Sequence, residues 1–418
     1  MTIVAGIICE YNPFHNGHLL QIHKLRHEKD ADAIICVLSG HFMQRGEPAL
    51  ISKERRTHMA LANGADLVLE LPALYATRSA YWFALGGVCL LAYAGATHIA
   101  FGAETDDLAA FLSTAQRLAR PDEAYTEGFR RYLSAGLSFS EAQAKALNYG
   151  EYANFVPVLP NDRLALSYLQ VIAEKNLPLS PILIAREGGR YHDTDLAADT
   201  RKLSSATAIR QKLAQGVRAY RSPSLTDGQL QELGLSGHIP EKALPYLSGA
   251  RLVFPADAAD IELALLRRAS RQTLLALPDM NEGLEYRIMD AASRSENLDA
   301  FYRRIKTKRY TMTRLQRMVT HLLIDYRQSH AAALSEGPPY LRILGASAEG
   351  RSLLHTMKKT SPVPLVTRTS QMKPVIRQSA HAANAWEIEL RATAMYGLFS
   401  GADFSRGNPE FYFRPIMT

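Results

Sequence analysis

The chain has 418 residues, 47% of them hydrophobic and 21% charged, with a formal net charge of +7 at pH 7. That composition supports a sizeable packed core, excludes a disordered or low-complexity chain, and at this length predicts two or three domains. The mild basic excess points towards a polyanionic partner.

The first stretch carries the most information. Val4, Ile7 and Ile8 have the apolar, β-branched look of a buried parallel strand, and Leu19, Leu20, Ile22, His23 and Leu25 have helical spacing, so GIICEYNPFHNGHLL joins strand to helix through a short turn. In such a turn Pro13 fixes φ, Asn16 caps the helix and Gly17 lets a ligand approach the backbone. The helix N-terminus aims unpaired N–H groups at an anion, for which phosphate is the natural choice. His15 and His18 flank Gly17, so two imidazoles face the phosphoryl oxygens. HxGH directly after a first strand resembles the signature of the nucleotidylyl-transferase superfamily of Rossmann-like enzymes; the plain alternative is a turn with two incidental histidines.

The βαβ rhythm continues through AIICVL (33–38), a helix near 53–62, ADLVLEL (65–71), a helix around 81–93 and HIAFG (98–102). This predicts a doubly wound parallel sheet that binds ligands beyond the carboxyl ends of its strands, where Gly102 leaves room for adenine or ribose. The uncharged run YWFALGGVCLLAYAGATHIAF is broken by Gly86, Gly87, Gly95, Thr97 and His98, which favours a buried helix and strand over a membrane span. Cys9, Cys36 and Cys89 lack CxxC spacing, which predicts buried free thiols in a reducing compartment. His23 and His27 have the spacing of a helical metal pair but no third ligand at motif spacing, so no metal site is expected. The N-terminus lacks a basic segment before an apolar core, so no secretory signal is expected and the predicted location is cytoplasmic.

Residues 106–150 read as a helical insertion. A helix capped by Asn161 or Asp162 begins at PND, and PILIA (181–185) is a fifth strand that delivers Arg186 to a carboxyl end. KLSSATAIR (202–210) then reads as a capped helix with hydroxyls in its first turn. It is similar to the SSTxIR-type segment that, in cofactor adenylyltransferases, holds the triphosphate opposite HxGH. By that likeness Ser204, Ser205, Thr207 and Arg210 form the second half of one phosphate site.

After RSPSLTDG the chain becomes mainly helical. The stretch FYRRIKTKRYTMTRLQRMVT (301–320) carries seven basic residues and no acidic one. Its apolar spacing leaves Arg314, Arg317 and His321 on one helix face, preceded by Lys306, Lys308, Arg309 and Tyr310, a mixture of charge and aromatic suited to RNA. The predicted organisation is a Rossmann-like α/β domain of HxGH nucleotidyltransferase type over 1–215, followed by a mainly helical, RNA-binding region over 216–418.

Taken together, GIICEYNPFHNGHLLQI, SGHFMQRGEPA, NGADLVLELP, FGAET, PND, SSATAIR, IKTKRYTMTRLQR and YLRILGASAEGR closely resemble the bacterial tRNA(Met) cytidine acetate ligase family, nearly end to end. The resemblance implies an enzyme that activates acetate with ATP as acetyl-adenylate and passes the acetyl group to the wobble cytidine of elongator tRNA(Met), forming N4-acetylcytidine. It implies ATP contacts at Ile7, Ile8, Cys9, Glu10, Tyr11, Asn12, Pro13, Phe14, His15, Asn16, Gly17, His18, Leu19 and Leu20, and at Gly102, Asn161 and Arg186. Mg2+ is expected to arrive with the ATP phosphates. His41 stands where a small polar residue, often Asn, is expected.

The chemistry fits this assignment. An acetate oxygen attacks the α-phosphorus, and acetate is already ionised at neutral pH, so His15 and His18 stabilise charge rather than take protons. Two other readings stay open. One is a cofactor adenylyltransferase acting on a phosphorylated small molecule, which leaves the basic helical half unexplained. The other is a non-catalytic RNA-binding protein whose Rossmann half only senses nucleotide.

Overall fold

The computed structural model describes residues 2–137, 139–149, 159–185, 203–280, 283–308 and 310–418. Arg186 and Arg309 lie outside these residues.

Five parallel strands arise from the apolar runs expected of them: β1 (Val4–Cys9), β2 (Ala33–Ser39), β3 (Leu67–Leu71), β4 (His98–Ala103) and β5 (Ser180–Ala185). Between them lie α1 (Asn16–His27), α2 (Lys53–Ala62), α3 (Ala80–Tyr93) and α4 (Pro160–Lys175). The strand order is β5-β4-β1-β2-β3, with Val4 opposite Ala33 and Phe101 opposite Leu183. The chain runs outward from β1 to β3 and then returns to β4 on the other flank. The carboxyl ends of β1 and β4 therefore border the crevice where doubly wound sheets bind ligands.

The uncharged run settles as α3 followed by β4. Fourteen helical residues reach about 21 Å, short of a bilayer core of about 30 Å, and no described helix is long and apolar enough to cross a membrane. Gly87 lets α3 lie directly on β1, for a Cβ there would stand 2.6 Å from Ile8 Cδ1. All three cysteines are buried and unbridged, and His23 and His27 sit on the exposed face of α1.

The insertion after β4 holds helices Leu108–Ala119, Glu123–Ser134 and Phe139–Leu147. The helix at PND is not capped as expected. Leu159 is the N-cap and Pro160 the first helical residue. The Asp162 carboxylate instead receives Glu104 N at 2.8 Å, Thr105 N at 3.0 Å and the Thr105 hydroxyl at 2.7 Å, closing the turn after β4.

Beyond α5 (Ala206–Tyr220) the chain is mainly helical, and α6 (Leu298–Ile305) and α7 (Met312–Leu323) share a small core that includes Phe301, Leu315 and Met318. The sheet nevertheless continues past the boundary expected near 216. β6 (Leu341–Ala346) lies antiparallel to β3, with β7 (Leu365–Val366) and β8 (Ile416–Met417) parallel to it. Arg342 interrupts its apolar run, and a six-residue run of that kind gives no clear period from sequence.

α8 (Ala348–Thr360) follows β6, and α9 (Ala380–Ser400) packs near the end of the chain. A buried charge cluster ties this half to the Rossmann core. Lys53 is ion-paired with Glu70 and Glu410 and reaches Glu389 at 3.3 Å, while Arg342 lies 3.1 Å from Glu70 and 2.9 Å from Glu410. Removing one member of such a cluster leaves a buried charge unpaired, which typically costs about 3–5 kcal/mol.

Candidate active site

A cavity of about 340 Å³ opens at the carboxyl ends of β1 and β4, lined by the end of β1, the start of α1, residues 43–45, Gly102, Asn161 and residues 203–207 with Arg210. The turn after β1 is held from three sides. Tyr11 takes a left-handed φ of 46°, the Asn12 carboxamide oxygen accepts from Leu50 N at 2.8 Å, and the Asn12 carbonyl accepts from Arg210 Nη1 at 2.8 Å. Arg56, fully buried, donates to the carbonyls of Glu10 at 2.8 Å and Ser39 at 2.9 Å and to that of Gly40, pinning the ends of β1 and β2.

The cap of α1 is His15 rather than Asn16. His15 Nδ1 accepts from Gly17 N at 3.0 Å, and His18 Nδ1 accepts from His15 N at 3.2 Å, so the two imidazoles form a reciprocal capping box. Their rings stack with centroids 3.8 Å apart. Because each Nδ1 receives a backbone N–H, each neutral ring carries its proton on Nε2, the arrangement that suits donation to an oxyanion. Asn16 turns the other way, donating to Gly237 O at 2.9 Å. Pro13, Phe14, Asn16 and Leu19 do not line the cavity, whereas the remaining residues between Ile7 and Leu20 do.

α5 brings the second half of the site. Ser205 is its N-cap, accepting from Ala208 N at 3.0 Å, and the Ser204 hydroxyl pairs with His238 Nδ1 at 3.0 Å. Arg210 also donates to the Thr207 hydroxyl at 3.3 Å. Two helix N-termini, the guanidiniums of Arg210 and Arg45 and two imidazoles thus converge on one cavity, a strong anion site.

Gly102 and Asn161 line the same cavity, with the Asn161 carboxamide 2.5 Å from Glu104 Oε1. Glu10 also faces it. One of its oxygens accepts from Gln44 N at 2.6 Å, and burial pushes its carboxyl above the usual range.

The family model described as HIGH Nucleotidyl Transferase matches residues 1–408. A tRNA(Met) cytidine acetate ligase from Syntrophomonas wolfei subsp. wolfei is 37% identical, over 99% of this chain and 99% of the relative. One from a Geobacillus species is 36% identical, over 91% of this chain and 93% of the relative. The chain belongs to the tRNA(Met) cytidine acetate ligase family. Crystal structures of Thermotoga maritima TmcAL, 29% identical, superpose over 100% of this chain and 99% of theirs, with TM-scores of 0.89 for the apo form and 0.88 for the form bound with alpha-thio ATP.

Within this ligase family frame, one part of the site escaped the motif reading. Met43, Gln44, Arg45 and Glu47 form a wall of the cavity; they lie in SGHFMQRGEPA, whose family likeness was legible although no role was. Gly46, at φ +78°, sits against α7, and a Cβ there would stand 2.5 Å from Arg317 N. The basic helix is therefore packed on the cavity wall.

The basic stretch itself is only partly on the surface. Lys306 and Lys308 are exposed. Tyr310 is buried beneath the Arg314 guanidinium, 5.3 Å from its ring centroid, so it offers no stacking face. Arg314 donates to Asp279 O at 2.6 Å, and burial holds Arg317 down to about 10. His321, expected on the basic face, is fully buried and lies 2.8 Å from Thr77 O. His321 thus ties α7 to Thr77 of the Rossmann half, whereas Arg314 bonds Asp279 within the helical half and, like Arg317, is only half-buried.

Proposed function

We propose that this chain joins acetate to ATP as acetyl-adenylate, releasing pyrophosphate, and transfers the acetyl group to the wobble cytidine of elongator tRNA(Met) to give N4-acetylcytidine. The observation that carries this reading is the convergence of the His15–His18 capping box and the α5 N-terminus with Arg210 on one cavity. The activity named for the relatives and the ATP analogue held by the Thermotoga protein support it.

In the first step a carboxylate oxygen of acetate attacks the α-phosphorus as the bond to pyrophosphate breaks. His15 and His18 donate through Nε2 to the phosphoryl oxygens, and Arg210, Thr207, Ser204 and Ser205 hold the leaving phosphates. Gly102 and Asn161 border the nucleoside, as does Arg186 by family likeness. In the second step the exocyclic amine of cytosine attacks the acyl carbon of the mixed anhydride, the acyl carbon–oxygen bond breaks, AMP leaves and the amine nitrogen gives up one proton.

Mg2+ fits as a passenger of the triphosphate, where it neutralises phosphate charge. The cavity offers the carboxylates of Glu10 and Glu47, whereas the one three-carboxylate grouping among the described residues, Glu70, Glu389 and Glu410, is taken up by Lys53.

Residues 1–215 would carry adenylation and 216–418 the tRNA contacts, with Lys306 and Lys308 exposed beside the helix that abuts Gly46. Arg309, outside the described residues, and the half-buried Arg314 and Arg317 complete the proposed set of tRNA contacts. A reaction on tRNA fits a cytoplasmic enzyme.

ATP–pyrophosphate exchange tests the reading. Exchange that requires acetate, with N4-acetylcytidine appearing on added tRNA, is the expected result. Exchange that requires a phosphorylated metabolite would make the protein a cofactor adenylyltransferase, and no exchange would leave a nucleotide sensor.

A further inference from the structure

A second cavity, of about 650 Å³, lies between the start of α2, the end of α9 and the C-terminal segment 402–414. It is separate from the first, yet the loop after β2 borders both. His41 lines the second cavity and Met43 the first, and two residues span at most about 7 Å.

Its walls are cationic. Arg55, Arg251, Arg406 and Arg414 reach it from three separate stretches, and none of them forms an ion pair with a carboxylate among the described residues. Arg55 and Arg251 are fixed by bonds to the carbonyls of Tyr246 at 3.0 Å and Phe399 at 2.8 Å. The charges of Lys53 and Glu410, which also touch the cavity, are consumed in the buried cluster, so Glu54 and Asp403 are the acids left to set against the four guanidiniums.

Aromatic surface accompanies the charge. Tyr412 is 46% exposed, and the Arg406 guanidinium lies 4.6 Å from its ring centroid. His41, nine-tenths buried, is stacked on Tyr396 at 4.5 Å with Nδ1 held by the Thr393 hydroxyl. Guanidiniums for phosphate beside an open ring for a base are the elements of single-strand RNA recognition, and the volume is that of a nucleotide-sized ligand.

We propose that this second cavity holds an unpaired nucleotide of the RNA substrate adjacent to the reacting cytidine. The inference rests on the reading of the first cavity as the acetyl-transfer site. One unpaired strand then crosses the loop after β2, with the reacting base splayed into the first cavity and a neighbour held in the second. A loop whose bases are already unstacked meets that demand, and a continuous duplex does not.

The test replaces Arg406, Tyr412 and Arg414 together by alanine. All three lie on the exposed C-terminal segment, and their side chains make no hydrogen bond within the described residues. The probe is a fluorescent RNA hairpin carrying the anticodon loop of elongator tRNA(Met), titrated at several salt concentrations, beside a loopless duplex of the same stem and free CMP. The expected result is about tenfold or greater loss of hairpin affinity and a shallower salt dependence, with the weak duplex binding unaltered. Unchanged hairpin affinity overturns the inference. So does equal loss for the duplex, which would mark a plain charged surface, or CMP competing as well as the hairpin, which would mark a free-nucleotide site. Acetate-dependent exchange needs no RNA and reports whether the variant is folded. Its absence in the unaltered protein would defeat the proposed function, whereas the hairpin titration judges the second cavity alone.

Discussion

The Arg210 guanidinium donates to the Asn12 carbonyl at 2.8 Å, joining residues 198 positions apart. That bond holds the first turn of α5 against the turn after β1, so the two halves of the anion site have one fixed spacing. Arg210→Ala is expected to raise the KM for ATP in acetate-dependent exchange by about tenfold or more, since a charge-assisted bond is worth about 1.5–3 kcal/mol. A smaller effect on kcat is expected, because a guanidinium on the leaving phosphates serves ground and transition states alike. Unchanged KM and kcat would remove SSATAIR from the site.

His18→Ala is expected to lower exchange by about 100-fold or more, the usual cost of losing a preorganised donor at a developing phosphoryl charge. His18 also accepts the His15 N–H, so His15 loses part of its support. Thermal melting separates this from unfolding; a normally melting variant with near-normal exchange would reduce HNGH to a turn.

Both motifs were legible because each is contiguous and each lies at the start of a helix. The exchange of roles between Asn16 and His15 was not, since cap propensities rank Asn high and take no account of imidazoles that bond each other's backbone. The same holds for Asp162, whose preference for capping was satisfied by the turn after β4 instead of its own helix. The helical spacing of α7 was correct, but which of its polar residues face solvent depended on a partner far away in sequence, Thr77 for His321 and Asp279 for Arg314. β6 escaped for a related reason: an arginine inside a strand reads as surface until Glu70 and Glu410 are seen to neutralise it.

Gly46→Ala tests the link between the cavity wall and the basic helix. The φ of +78° strains any L side chain, and the nearest atoms, Arg317 N and Gln316 C, are backbone and cannot rotate aside. The variant is expected to lose about 1–3 kcal/mol of stability. Acetyl transfer to tRNA is expected to fall more than tRNA-free exchange, because the loop is displaced from the helix beside the proposed RNA face. Transfer and exchange in their normal ratio at normal stability would show that loop and helix do not act together.

The last prediction concerns the buried charge cluster. Glu389 is 1% exposed, and its Oε2 accepts from Ala73 N at 2.9 Å. Burial, reinforced by Glu70 and Glu410 and opposed by Lys53, pushes its carboxyl up to about 8. A carboxyl raised in this way binds its proton more tightly in the folded protein than in the unfolded chain. Its stabilisation is complete below the ordinary value of 4.5 and is lost as pH rises through about 8. Its neighbours act elsewhere. Burial would raise Glu410, but Arg342 and Lys53 hold it well below the usual range, so its stabilisation is lost only in acid. Burial likewise opposes the charge on Lys53, yet Glu410, Glu70 and Glu389 raise it, which places its loss above 10.5. Burial and the charge of Lys53 hold His41 well below 6.5, so its contribution is lost as pH falls through that value. Between pH 7 and pH 9 the titration of Glu389 therefore stands apart from those of Glu410, Lys53 and His41. Glu389→Gln keeps the acceptor for Ala73 and copies the uncharged state. Across that interval the wild type is expected to lose up to about 1.4 kcal/mol per pH unit relative to the variant. Urea unfolding of both proteins at pH 7 and pH 9 measures the difference. Parallel changes in the two would mean that Glu389 is already ionised in the folded protein and that Lys53 and Arg342 carry all three carboxylates as charges.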